Sequence, residues 1–143
     1  MATWLAYLGV IPFVIGVTLI SFGYQQFFLI NDLAFMVSSY GLVIVVFMSG
    51  IHWGNYLSDE KSHSLNLLIA SNLITLISWF AFLLISTELT LLIYCITFSA
   101  LLYIDAKLLS LQVISKRYFK VRCVVTLIVV ISLLLTILNL VMR

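Results

Sequence analysis

Residues Cys123–Met142 read CVVTLIVVISLLLTILNLVM, twenty positions without a charged side chain. A helix needs about 20 apolar residues to cross the hydrocarbon of a bilayer, and this stretch is of that length. Four more apolar runs precede it: Thr3–Tyr24, Leu33–Gly54, Leu65–Ser86 and Leu89–Leu109. The breaks between them hold the polar residues, namely Gln25, Gln26, Asn31 and Asp32, then Asn55 and Ser58–Ser64, then Thr87 and Glu88. The longest break, Ser110–Arg122, holds four basic residues and no acidic one. Period-2 alternation is absent, which argues against a transmembrane β-barrel. The expected fold is therefore an all-α integral membrane protein, a bundle of five transmembrane helices in one domain.

Composition agrees with the runs. Of 143 residues, 64% are hydrophobic and 8% charged, with a mean hydropathy of +1.27. A soluble domain averages about 45–50% apolar and about 25% charged, and a small one leaves much of its surface in water. These totals exclude a soluble enzyme, a nucleic-acid-binding module and a disordered chain. A cleavable signal peptide is not expected, because no Lys or Arg precedes the first run and the run exceeds an h-region.

Positive residues near span ends favour the cytoplasmic side. Lys107, Lys116, Arg117, Lys120 and Arg122 surround the fourth connection, and Lys61 lies in the second. Both connections fall on the same side, leaving Arg143 as the lone cation opposite. The expected orientation places the N-terminus in the cytoplasm and the C-terminus outside.

Lipid tails are as apolar as leucine, so helices in a bilayer associate by close packing and hydrogen bonds. Gly9, Gly16 and Gly23 recur every seven residues and predict one shallow face on the first span. Gly50 and Gly54 form a G-x-x-x-G step, another expected packing face. Ser64, Ser71, Thr75, Ser78 and Ser86 make a stripe on the third span, and Thr90, Tyr94, Thr97 and Asp105 align on the fourth. Such hydroxyls most simply join helices together. A polar solute route would call for ionisable groups at mid-membrane, and none lie there, which weighs against a transporter. Pro12 is expected to kink the first span. Cys95 and Cys123 sit at opposite ends of different spans and are read as packing residues.

Helix rise sets the depth of the strong polar groups. At about 1.5 Å per residue, His52 lies roughly 30 Å beyond the outer Asp32, and Asp105 about 26 Å beyond Glu88. Both approach the inner margin of the hydrocarbon, as does Arg122. Trp53, Tyr56, Tyr103 and Tyr118 flank them. On its helix His52 points about 160–200° away from Gly50 and Gly54, which predicts that the glycines pack and the imidazole faces a cavity, lipid or partner. Asp105 is expected to pair with Arg122. An interfacial belt of aromatic and cationic anchors explains the same residues. The alternative is an inner-leaflet pocket for the polar end of a phospholipid or quinone. Haem fits poorly, since one membrane-level His does not supply two axial ligands. With no Cys or His spacing for a metal and no nucleophile beside His52, neither a metal site nor an enzyme is expected.

Gly50-Ile51-His52-Trp53-Gly54 resembles the signature of an uncharacterised, domain-of-unknown-function family of small polytopic membrane proteins. Its members are proteobacterial, with a mitochondrial transmembrane relative. Tyr7–Phe13, Tyr40-Gly41, Trp79, Asp105, Tyr118, Arg122 and Thr126 also fit, while Asn72 stands near an expected proline. The resemblance implies a bacterial inner membrane or a mitochondrial one, and raises the weight of His52, Trp53, Asp105 and Arg122. It carries over no catalytic residue. The expected function is a non-enzymatic accessory or assembly subunit of a larger inner-membrane complex, plausibly respiratory, with membrane lipids and other subunits as partners. An inner-leaflet lipid- or quinone-binding protein is the alternative, and a small transporter the third.

Overall fold

Pro12 does more than kink the first span. In the computed structural model, which describes residues 2–142, that span is two helices, α1 (Ala2–Leu8) and α2 (Ile11–Ser21). The side chains of Ala2, Thr3 and His63 lie outside the description, and so does Arg143, the cation expected on the opposite face. Proline has no N–H to offer the Leu8 carbonyl. The turn closes instead through Val10 N–H to the Tyr7 carbonyl at 3.1 Å and Phe13 N–H to the Val10 carbonyl at 3.1 Å. The Tyr40 hydroxyl then donates to the Gly9 carbonyl at 2.9 Å. A side chain from another helix thus satisfies a backbone group at the break, as a low-dielectric surround requires.

The remaining helices are α3 (Leu33–Ser58), α4 (Leu67–Leu84), α5 (Thr87–Ser110) and α6 (Lys116–Val141). Counting the broken first span as one, five helical segments among the described residues are long and apolar enough to cross a membrane. No named strand occurs among them. Asp32 caps α3 by accepting from Phe35 N–H at 3.0 Å, and α3 runs four residues past the expected Gly54. A 3₁₀ turn, Glu60–Leu65, leads to α4. Within it the buried Ser62 hydroxyl donates to the Asn55 carbonyl at 3.0 Å and to that of Asp59 at 2.6 Å. The Thr90 hydroxyl reaches the Ala81 carbonyl at 2.9 Å and locks the tight α4–α5 connection. Ser115 caps α6 by accepting from Tyr118 N–H at 3.2 Å. The basic stretch expected as a loop is therefore the first two turns of α6, seven residues ahead of the expected start.

The α5 helix packs on α3, α4 and α6, and α2 lies against α3 and α6. Phe13, Val45, Tyr94, Phe98, Leu101, Val129 and Leu133 fill the interior. The polar residues expected on α5 all turn inward: Thr90, Tyr94, Thr97 and Asp105 are buried, as are Ser71 and Ser78 of α4. Cys95 is buried and Cys123 half-buried, both as free thiols.

The glycine expectations divide. At Gly16 a Cβ would stand 2.5 Å from Val37 Cγ2, so this glycine meets α3 closely. Gly9 belongs to the break, and its Cβ would sit 3.4 Å from the Ala6 carbonyl. Gly23 lies past the end of α2 at φ +88° with open space beside it. The break and the early end of α2 prevent a continuous Gly9–Gly16–Gly23 face. Gly50 and Gly54 also meet nothing within 4 Å, and the packing face expected there is absent. The tightest approach unforeseen from spacing is at Gly41, whose Cβ would lie 2.8 Å from the Tyr94 ring.

Candidate functional site

Asp105, His52 and Arg122 sit on α5, α3 and α6, each about a turn and a half from the same end of the bundle. Antiparallel neighbours bring the end of α3, the end of α5 and the start of α6 to one level. Arg122 Nε donates to Asp105 Oδ2 at 2.8 Å, and His52 Nε2 lies 2.9 Å from Asp105 Oδ1. A carboxylate only accepts, so the imidazole presents its Nε2–H there. All three residues are buried, with 1% of His52, 1% of Asp105 and 5% of Arg122 exposed. The expected Asp105–Arg122 pair is present. His52 is not free to face a cavity, because it is the second partner of the same carboxylate. The reason is physical: turning an imidazole to lipid leaves two polar nitrogens unsatisfied, whereas a bare glycine strip loses nothing there. The α3 helix is accordingly rotated from the expected pose, burying His52 and exposing the glycines.

The carboxylate has both oxygens engaged, but the cluster is not polar-saturated. His52 Nδ1 is buried without a hydrogen-bond partner, as are Ser49 Oγ and Asn55 Nδ2 one turn to either side. Thr126 Oγ1, a turn beyond Arg122 on α6, is in the same condition.

Beside the cluster lies a cleft of about 500 Å³, within the range of roughly 300–1,000 Å³ typical of ligand sites. Leu5, Ala6 and Gly9 form one wall, Ile44, Phe47, Met48 and Ile51 of α3 another, and α6 the third. Phe13, Phe98 and Val129 are its buried floor, while Leu5 and Phe47 at its edge are exposed. It therefore opens sideways, between α1 and α3, onto the apolar flank of the bundle. Tyr118, Arg122 and Thr126 supply its side-chain polar groups, at four-residue intervals on one face of α6 from the cluster end inward.

Of the other residues expected at the site, Tyr118 lines the cleft, whereas Trp53 and Tyr56 do not. Trp53 is 40% exposed and turns outward, as an interfacial anchor does. Tyr103 is exposed too, with Lys107 Nζ 5.3 Å from its ring centre. Thr126 as a cleft residue and the α1 wall were not picked out from sequence as site elements. The signals were present in the Tyr118-x-x-x-Arg122-x-x-x-Thr126 spacing and in Pro12, which sets α1 apart. Among the described residues, no group of three His, Cys, Asp or Glu is placed to hold a metal ion.

No curated protein and no solved structure matches the chain. The profile of a family described as "Protein of unknown function (DUF3429)" matches residues 1–138. With nearly its whole length covered, this multi-pass membrane protein belongs to the DUF3429 family.

Proposed function

We propose that the protein binds an amphipathic membrane molecule, of the lipid or quinone kind, in the lateral cleft between α1, α3 and α6. One observation carries this reading: an apolar cleft open to the flank of the bundle has its polar side chains on α6 alone, running in from the cluster end. A molecule entering sideways from the bilayer would place its chain against Phe13, Phe98 and Val129 and its polar end at Arg122. The His52–Asp105–Arg122 cluster has the role of holding that guanidinium in place. The accessory-subunit reading draws on size and composition, whereas the cleft is a geometric feature that speaks for a bound molecule.

The test is retention. The protein is transferred from native membranes into lipid nanodiscs, and its tightly held small molecules are identified by mass spectrometry. Wild type is expected to retain an amphiphile at fixed stoichiometry. Ala6→Trp, which fills the cleft, is expected to lose it, and Leu73→Trp on the exposed flank of α4 to keep it. Equal retention by Ala6→Trp would overturn the reading.

The cluster end is proposed to face the cytoplasm, or the matrix if the membrane is mitochondrial. Six of the seven Lys and Arg residues stand at that end, and such bias sets orientation. The proposed membrane is a bacterial inner membrane or a mitochondrial inner one, following the family resemblance. A reporter fused after Arg143 is expected to respond from the side opposite the cluster. A cytoplasmic response in a bacterial host would reverse the assignment.

A further inference from the structure

The polar end of the cleft has a definite chemical character. Among the described residues that line it, Arg122 is the only charged one and none brings a carboxylate to its surface. Asp105, the counter-charge, is withdrawn behind the guanidinium, and both its oxygens are already taken. A guanidinium has five N–H donors, of which Nε alone is spent on Asp105. The neighbouring groups on the same face of α6 are hydroxyls. Thr126 is 4% exposed, lines the cleft, and has Oγ1 without a partner. A buried hydroxyl left unbonded is unfavourable; Oγ1 has no open surface as it stands, and a turn about χ1, which threonine tolerates in a helix, would give it a ligand acceptor in the cleft. Tyr118 adds a second hydroxyl one turn before Arg122.

We infer that the cleft selects an acidic amphiphile, with a carboxylate or phosphate head held by Arg122, Thr126 and Tyr118 and a single chain laid along α6. The inference rests on the amphiphile-binding reading and names its ligand class. The three donors suit an acceptor-only group, and Arg presents paired N–H groups that match carboxylate or phosphate oxygens. The apolar part suits one chain, because the whole cleft measures about 500 Å³ and every lining side chain other than Tyr118, Arg122 and Thr126 is apolar. A neutral quinone carbonyl would meet the same donors without the gain from charge.

The experiment uses the full-length protein in phosphatidylcholine nanodiscs. A hexadecanoic acid bearing a photoreactive diazirine on its chain is crosslinked, and the labelled residues are mapped by mass spectrometry. Unlabelled hexadecanoic acid, hexadecyl phosphate, hexadecanol and a short-chain ubiquinone analogue then compete. Labelling is expected on Phe13, Ile44, Phe98 or Val129, with at least one acid competing about tenfold better than hexadecanol, as a charge-assisted hydrogen bond implies. The stronger acid identifies the head as carboxylate or phosphate. Thr126→Val, close to isosteric, is expected to weaken competition by the acids and leave that by hexadecanol unchanged. Arg122→Lys, which keeps the charge, is expected to retain part of the preference. If hexadecanol or the quinone competes as well as both acids while the cleft is still labelled, the acidic head is wrong and the cleft reading survives. If no probe labels the cleft, the cleft reading falls, and this inference with it.

Discussion

Arg122→Gln is expected to lower the thermal stability of the detergent-solubilised protein more than any other single change in the cluster. The substitution leaves Asp105 buried with its charge uncompensated, and breaking a buried pair in this way costs about 3–5 kcal/mol. Asp105→Asn strands the guanidinium instead and removes an acceptor from His52, so its loss falls in the same range. The double variant is expected to lose clearly less than the sum, because neither charge then remains without its partner. His52→Ala strips one hydrogen bond from Oδ1 and keeps the ion pair, so about 1–3 kcal/mol is expected. Unfolding followed by intrinsic fluorescence with temperature provides the four midpoints. Strict additivity of the Asp105 and Arg122 changes would show that the pair at 2.8 Å contributes no coupling.

Gly41→Ala and Gly16→Ala should each destabilise the bundle, whereas Gly50→Leu should not. At Gly41 the new methyl meets the Tyr94 ring at 2.8 and 2.9 Å, and Tyr94 is fully buried. A buried ring between packed helices has little room to swing aside. At Gly16 the obstacle is Val37 Cγ2 at 2.5 Å, carried on a β-branched side chain with few rotamers. Overpacking of this kind typically costs about 1–3 kcal/mol. Gly50 has open space where a side chain would go, and leucine is at ease beside lipid. Equal midpoints for Gly41→Ala and wild type would mean that α3 and α5 stand further apart than the 2.8 Å approach requires.

The contrast between Gly50 and Gly41 shows what spacing can and cannot convey. The five apolar runs are legible because hydrocarbon thickness sets the length of any crossing helix, whatever its neighbours. Rotation of a helix about its axis depends on those neighbours. The Gly50/Gly54 step has the local form of a packing motif, but His52 and Asp105 have a larger claim on the interior, and their pairing turns the glycines outward. The cluster itself was legible as a matter of depth, since helix rise brings His52, Asp105 and Arg122 to one level. The division of the carboxylate between two partners was not, because it depends on which faces of α3 and α6 meet α5. The cleft was hidden for a related reason. Pro12 marks a disturbance in the first span, and only the fold shows that the break leaves α1 as a separate wall.

The pairing of Asp105 with Arg122 bears on the order in which the chain enters the bilayer. Synthesis delivers α5 before α6, and the two ionic partners are 17 positions apart. While Arg122 is still within the ribosome, Asp105 lacks the cation it pairs with in the finished bundle, and an unpaired carboxylate in a nascent span resists transfer into lipid. His52 is already made, but an imidazole with one N–H to give does not cancel a charge. The Asp105 end of α5 is therefore expected to stay at the water boundary until α6 emerges, the two helices then settling as a hairpin. Pausing translation between Asp105 and Arg122 is expected to leave α5 short of its final depth until α6 is made.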